Sequence, residues 1–294
     1  MTDVQAIIDA IALGAVYALV AVGIGLVFGV MRLINFAYGE LITAGGFTLW
    51  WLRDQPAAVA ILACFAVVIA LSLAMERVAF RPLRRASPAT MLVATFAISF
   101  TLQSIYLLIF GPRGNPVSTL SGLQGAVNIG SLHIRWITFV SLGCGAALLL
   151  GTAFILDRTN IGLHMRAAAT DFRTSRILGV RANRVIAFAF LISGFLAASV
   201  SVLLTVEDQL VTPDYGVSIT ILALIGVVVG GLDRLWSATL GGFAMGFATS
   251  LFGDLLPAGS RVYLPSIVFG AVILVLILRP PGLFAPSRRP VERM

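Results

Sequence analysis

Two stretches of the chain, Trp136 to Leu156 and Val185 to Val206, carry no charged residue and are each about 21 or 22 residues long. As a helix, such a run crosses roughly 30 Å of hydrocarbon. In hydrocarbon only a helix or a closed barrel satisfies every backbone donor and acceptor. The same constraint recurs along the sequence. Apolar runs between charges give about nine candidate crossings: Ala6 to Val30, Leu33 to Leu52, Gln55 to Met75, Ala86 to Pro112, Trp136 to Leu156, Val185 to Val206, Tyr215 to Leu232, Leu235 to Gly253 and Val262 to Leu278. The second contains Glu40 together with Gly39, Gly45 and Gly46, so it also reads as a re-entrant or broken segment, which leaves eight full spans. The expected fold is an all-α polytopic membrane protein of eight to nine transmembrane helices, forming one domain over residues 1–294.

Composition agrees with this and removes several chemistries. Hydrophobic residues make up 59% of the chain and charged ones 11%, with a mean hydropathy of +1.00, a balance foreign to soluble domains of this length. The first apolar segment follows Asp3 and Asp9 without a basic leader and exceeds a signal-peptide core, so it reads as an uncleaved span. All 20 basic residues are Arg. Without Lys the chain has neither a Walker phosphate-binding loop nor a Schiff-base amine. Cys64 and Cys144 lie inside apolar segments, where small buried thiols are expected and a disulfide or metal site is a poor reading. His133 and His164 fall in loops of opposite sidedness, which excludes a metal site or a Ser-His pair built from them. No cofactor, metal or catalytic residue is expected.

Charge also assigns sidedness. If the segments alternate, one side receives 16 of the 20 Arg, including six in the loop from Asp157 to Arg184, while the other collects Glu207, Asp208 and Asp214. The positive-inside rule places the Arg-rich loops and the C-terminus in the cytoplasm and the N-terminus outside. A net charge of +7 then reflects anchoring at an anionic leaflet and calls for no nucleic-acid partner. The segment from Gly111 to Arg135, rich in Gly, Pro, Ser and Asn, joins Glu207 to Tyr215 on the external face.

The loop from 157 to 184 is the most distinctive stretch. Arg166-Ala-Ala-Ala-Thr-Asp171 is a helix-forming island, followed by a short helix from Phe172 to Leu178 that Asp171 can cap and Gly179 can end. Ala167, Ala168 and Ala169 leave a shallow surface for close approach, and Arg173 and Arg176, three apart, share a face suited to carboxylates of a partner. An ordinary positive-inside loop has the same composition.

Three separated motifs, Asn35-Phe-Ala-Tyr-Gly-Glu40, the loop from Arg166 to Val180, and Leu278-Arg-Pro-Pro-Gly-Leu-Phe284, resemble the permease subunits of ABC importers for branched-chain amino acids and related small solutes, and the similarity runs over nearly the whole chain. The resemblance implies that the loop is a coupling element seated on a cytoplasmic ATPase, with Arg166, Ala167, Ala168, Ala169, Asp171, Phe172, Arg173, Arg176 and Gly179 as its residues. The strict importer pattern begins Glu-Ala-Ala, where this chain has only the alanines. The resemblance further implies a second permease subunit, homologous or identical, two ATPase subunits, a periplasmic or lipid-anchored solute-binding protein that docks on the external rim, and a bacterial inner-membrane location.

Apart from Asp9 at the start of the first, Glu40 is the one acidic residue inside a candidate span. A carboxylate at mid-membrane costs on the order of 2.5 to 3.5 kcal/mol, so it is paired, interfacial or functional. Eight residues beyond Arg32, or about 12 Å along a helix, it is compatible with a role in the path or gate and with a polar tether, and Asn35 suits a helix cap in the same motif. Glycines at 226, 230, 231, 241, 242 and 246 suit close helix packing. Transporters built from inverted repeats also place Gly-interrupted helices at matching points of their halves, which suggests pairing segment 33 to 52 with segment 235 to 253 and a path near Asn35, Gly39, Glu40, Gly230 and Gly231.

The reading is a non-enzymatic permease subunit importing a branched-chain amino acid or a similar small polar solute. The alternatives are a self-sufficient secondary transporter or channel, disfavoured because ion-coupled carriers hold several intramembrane polar groups, and a permease for urea or short amides.

Overall fold

The computed structural model describes residues 3–84, 86–118, 121–129, 132–177, 179–231 and 235–279. These fold as a helical bundle: α1 Asp3–Met31, α2 Tyr38–Trp51, α3 Ala57–Ala74, α4 Pro88–Phe110, α5 Trp136–Arg158, α6 Asn160–Thr170, α7 Phe172–Ile177, α8 Ala182–Glu207, α9 Tyr215–Gly230, α10 Leu235–Leu255 and α11 Leu264–Leu278. Helix α3 runs on to Leu83 through a π-helical stretch, Met75–Phe80. Widened turns bring Glu76, Phe80 and Arg84 onto one line. Burial pushes the Arg84 guanidinium below its ordinary value, opposed by the neighbouring Glu76. Arg84 pairs with Glu76 and donates to the Asn183 side chain, fastening the end of α3 to the start of α8.

Helices apolar all round are buried on all sides or face lipid. Both kinds are present. Helices α1 and α8 form the centre, with 78% and 72% of their most apolar windows buried, against 17% for α4 and for α5 on the periphery. Small residues let the central helices approach. An added Cβ at Gly246 of α10 would meet the Leu13 carbonyl oxygen of α1 at 2.7 Å, and one at Gly226 of α9 would meet the Gly241 carbonyl oxygen of α10 at 2.8 Å. The two GxxxG spacings therefore serve different contacts, 226/230 joining α9 to α10 and 242/246 joining α10 to α1. Hydroxyls supplement this: Ser72 donates to the Phe190 carbonyl and Ser193 to that of Gly23.

Each apolar run has a helix, yet among the described residues six helices are long and apolar enough to cross a membrane: those over Val4–Met31, Ala57–Leu83, Ala89–Phe110, Trp136–Arg158, Asn183–Glu207 and Leu235–Leu255. Helices α2, α9 and α11 have 14, 16 and 15 residues, or roughly 21 to 24 Å. For α2 the reason is local. Arg32 takes a left-handed φ of 53°, the chain stays non-helical to Ala37, and the Asn35 carboxamide oxygen accepts from the Ala37 N–H at 3.1 Å. Asn35 thus forms a turn ahead of the helix, while the residue at the cap itself is Ala37.

At one end of the bundle the loops after α4 and α8 are joined. Strand β1, Asn115–Pro116, pairs antiparallel with β4, Leu210–Val211, beside the hairpin of β2, Ala126–Ile129, and β3, Leu132–Arg135. Arg135 approaches Glu207 to 3.6 Å at this end. The loop from 157 to 184 lies at the other, where Arg32 donates to the Ala169 carbonyl at 2.9 Å.

Candidate functional site

Helices α2 and α9 begin with the same letters, Tyr38-Gly-Glu-Leu-Ile-Thr43 and Tyr215-Gly-Val-Ser-Ile-Thr220, and their first turns meet in the interior. A Cβ on Gly39 would lie 2.7 Å from the Gly216 carbonyl oxygen and 2.9 Å from the Thr220 hydroxyl, and one on Gly216 would strike the Gly39 carbonyl oxygen. The backbones can cross this closely only because both residues lack a side chain. Thr43 donates to the Gly39 carbonyl and accepts from the Gly216 N–H at 2.9 Å. The Thr220 hydroxyl, at the matching place in the other hexapeptide, is buried and has no hydrogen-bond partner among the described residues. Two identical side chains thus sit on one crossing in different bonding states. The hexapeptide that meets the start of α2 lies on α9, while the segment from 235 to 253, paired with 33 to 52 on its glycines, forms α10.

Glu40, next to the crossing, is fully buried and faces outward to α4. Its Oε1 accepts from Ser99 Oγ at 2.7 Å and from Gln103 Nε2 at 2.9 Å, and its backbone carbonyl accepts from the Tyr106 hydroxyl at 3.0 Å. Ser99, Gln103 and Tyr106 follow at i, i+4 and i+7, one polar stripe on an otherwise lipid-facing helix. That stripe was legible in the sequence as a set of partners for a buried carboxylate, although charge and spacing around Glu40 alone do not point to it. Gly230 and Gly231 stand at the far end of α9, where Gly230 lies against the Ser237 backbone and Gly241, and Gly231, with φ of 107°, ends the helix. Asn35, Gly39 and Glu40 therefore gather at the start of α2, and Gly230 and Gly231 lie a helix length away.

The loop between α5 and α8 folds into two short helices. Helix α6 is amphipathic, with Gly162, Met165 and Ala168 buried against the bundle. Ala168 is 4% exposed, so it packs on its own chain and cannot offer the shallow outer surface expected of it. The open side carries Leu163, His164 and Thr170, with Ala167 between them at helical spacing. Ala169 turns toward α1, where its carbonyl receives Arg32. Arg166 is held by Asp157 at 2.8 Å. Asp171 Oδ1 accepts from the Thr174 N–H at 3.1 Å, and Gly179 adopts φ of 90° after α7. Leu163 is 55% exposed and Ile177 80%, two large apolar residues standing out of a charged loop. The side chains of Phe172, Arg173 and Arg176 lie outside the described residues, as do Leu178, Asp233 and Arg234 and the C-terminal motif from Pro280 to Phe284.

A bundle of membrane-length helices, with a glycine crossing between two short helices in its interior and an amphipathic helix packed at one end, defines a polytopic helical membrane protein. The comparisons with known proteins say which kind. The sequence matches the family described as the branched-chain amino acid transport system permease component over residues 6–277, and the chain belongs to this family of ABC-importer permeases. It is 29% identical to the high-affinity branched-chain amino acid transport system permease protein BraD of Pseudomonas aeruginosa, covering 99% of this chain and 97% of the relative. It is 30% identical to the corresponding LivH of Escherichia coli K12, again over 99% and 97%. In fold it is similar to PsaBC from Streptococcus pneumoniae, solved in complex with a Fab, with a TM-score of 0.52, 13% identity, and coverage of 97% of this chain and 93% of that one. The relatives are transport permease components and not enzymes.

Proposed function

We propose that this chain is the membrane subunit of an ATP-driven importer that moves a branched-chain amino acid inward, without enzymatic activity of its own. It would work with a second permease subunit, homologous or identical, two cytoplasmic ATPase subunits, and a periplasmic or lipid-anchored binding protein docked over the β1/β4 end. The setting is the bacterial inner membrane, with the N-terminus outside, the C-terminus in the cytoplasm and eight to nine crossings once α2, α9 and α11 are counted.

The observation that carries this reading is the exposed pair Leu163 and Ile177 on the loop from 157 to 184, beside Arg166 and Asp171. Two large apolar side chains exposed on one short charged loop give a partner apolar surface to cover, the role in which exposed apolar patches serve. The loop is also tied to the core, because Arg32 links Ala169 to the end of α1 and Asp171 fixes the angle between α6 and α7. A push on α6 therefore reaches α1, and through it α10 and α9. We take α2 and α9 as the matching halves of an inverted repeat whose crossing at Gly39 and Gly216 is the pivot between inward and outward access, with Glu40 tethering α2 to α4. ATP-driven closure biases one of two arrangements by making different contacts with each.

The test is assembly and transport in proteoliposomes with the ATPase subunits. Leu163→Arg alters only an exposed side chain, so the chain should insert and fold as before while ATPase binding and solute-stimulated ATP hydrolysis fall at least tenfold. Leucine uptake without any ATPase, or full coupling in Leu163→Arg, would refute the reading. Uptake of urea or a short amide in preference to leucine would retain the machine and change its cargo.

A further inference from the structure

A groove of about 440 Å³ runs between α1, α5, α6 and the start of α10. This volume lies within the range of about 300–1,000 Å³ typical of small-molecule sites. Its floor follows α1 from Val22 to Val30, roughly 12 Å, and is open at Gly29, where an added Cβ would meet nothing within 4 Å. Inside, the lining is apolar, and the Thr239 hydroxyl is already donated to the Leu235 carbonyl. Polar groups gather at one end, where Asp157 and Arg166 form the mouth, and Trp236, 63% exposed, stands at the side.

The charges around the mouth are unequal. Asp157 is bonded to Arg166, and Asp171 accepts from the Thr174 N–H and hydroxyl. Just outside the lining, Arg32, bonded to the carbonyl of the lining residue Ala169, and Arg158, next in sequence to Asp157, are exposed, and neither has an ion-pair partner among the described residues. A slot that is apolar along the membrane direction and cationic where it meets water suits an amphiphile with an anionic head. Trp at the rim fits the same depth, since its ring favours the interface. We propose that the groove binds an anionic phospholipid, one acyl chain lying along Val22 to Val30 and the phosphate held by Arg166 with Arg32. Such a lipid would rest on Met165 and Ala169 and so bear on the position of α6. The lipid site rests on membrane insertion of the chain and on nothing of its ATPase or cargo.

Trp236 supplies the readout. The full-length chain in vesicles containing phosphatidylglycerol or phosphatidylcholine brominated on the acyl chain should lose the Trp236 fluorescence, obtained by subtracting a Trp236→Phe variant. Phosphatidylglycerol should reach half-quenching at a several-fold lower mole fraction. Gly29→Leu, whose Cβ has free space and whose side chain would fill the floor, should abolish that preference, and Asp157→Asn, which frees Arg166, should increase it. Equal quenching by the two lipids would mean only annular lipid and overturn the proposal. No quenching of Trp236 by either would mean that a second copy of the chain or another protein covers the groove, which also overturns it. A chain that binds no ATPase yet keeps the preference would refute the proposed function and leave the lipid site standing.

Discussion

Replacing Glu40 by Ala and by Gln separates what its bonds contribute from what its charge contributes. The carboxylate accepts two hydrogen bonds from α4 through a single oxygen, Oε1, while Oε2 has no hydrogen-bond partner among the described residues. Gln keeps an acceptor in the position of Oε1 and puts an amide where Oε2 stands, so the contacts to Ser99 and Gln103 survive. Ala removes both and leaves the buried Ser99 hydroxyl without Glu40. In a soluble core, orphaning a buried donor costs about 1–3 kcal/mol. Between membrane helices the measured range is lower, about 0.6 and at most about 1.7 kcal/mol per bond, because the unpaired groups find other partners. With two bonds lost, Glu40→Ala should destabilise by about 1–3 kcal/mol, and Glu40→Gln by less than about 1 kcal/mol.

The assay is reversible unfolding in mixed micelles, repeated with Ser99→Ala and with the double variant. A tether predicts a coupling of about 0.5–1.7 kcal/mol between positions 40 and 99. It also predicts that Glu40→Gln transports while Glu40→Ala loses activity in step with its stability. Coupling near zero would remove the tether. A stable but inactive Glu40→Gln would show that the charge itself serves the path.

Two further comparisons test the packing. Gly216→Ala drives a methyl into the Gly39 carbonyl, a backbone atom that cannot swing aside, and should cost about 1–3 kcal/mol by the same unfolding assay, whereas Gly143→Ala, where an added Cβ meets nothing, should be neutral or stabilising. Glu76→Gln leaves Arg84 largely buried without its carboxylate and should cost about 3 kcal/mol, much of which Glu76→Gln with Arg84→Gln recovers; equal losses in the single and double variants would show that the pair does not act as a unit.

The sequence displayed the helices better than their ends. Absence of charge marks where the chain can enter hydrocarbon, and each apolar run did become helix. It does not mark where a helix breaks inside such a run. Leu33 to Ala37 are as apolar as the residues of α2, and the break depends on the left-handed Arg32 and the turn at Asn35, which no periodicity reveals. Facing was equally hidden for α6. Its three alanines are alike in composition, but the 100° step between neighbours turns Ala168 to the core and leaves Ala167 on the open side, and only the position of the bundle says which side is which.

The matching hexapeptides show where a sequence contains more than pattern reasoning extracts. Tyr-Gly-x-x-Ile-Thr occurs at 38 and at 215, four shared letters in six, too short to carry weight as text. Its meaning comes from contact. Each glycine is required by the carbonyl of the other, so neither can change alone without loss of the crossing. The threonines do not share that symmetry, since Thr43 bonds across the crossing while Thr220 has no hydrogen-bond partner among the described residues. The proposed pivot implies a second arrangement that exchanges the bonds, in which Thr220 accepts from the Gly39 N–H and Thr43 releases that of Gly216. Alternating access needs two packings of similar energy around a fixed contact. If the exchange is that switch, Thr220→Val and Thr43→Val should shift accessibility in opposite directions, read by modification of a cysteine placed at Leu163 and of one placed at Leu210. A shift in the same direction for both would mean that the threonines only fasten the crossing and take no part in its movement.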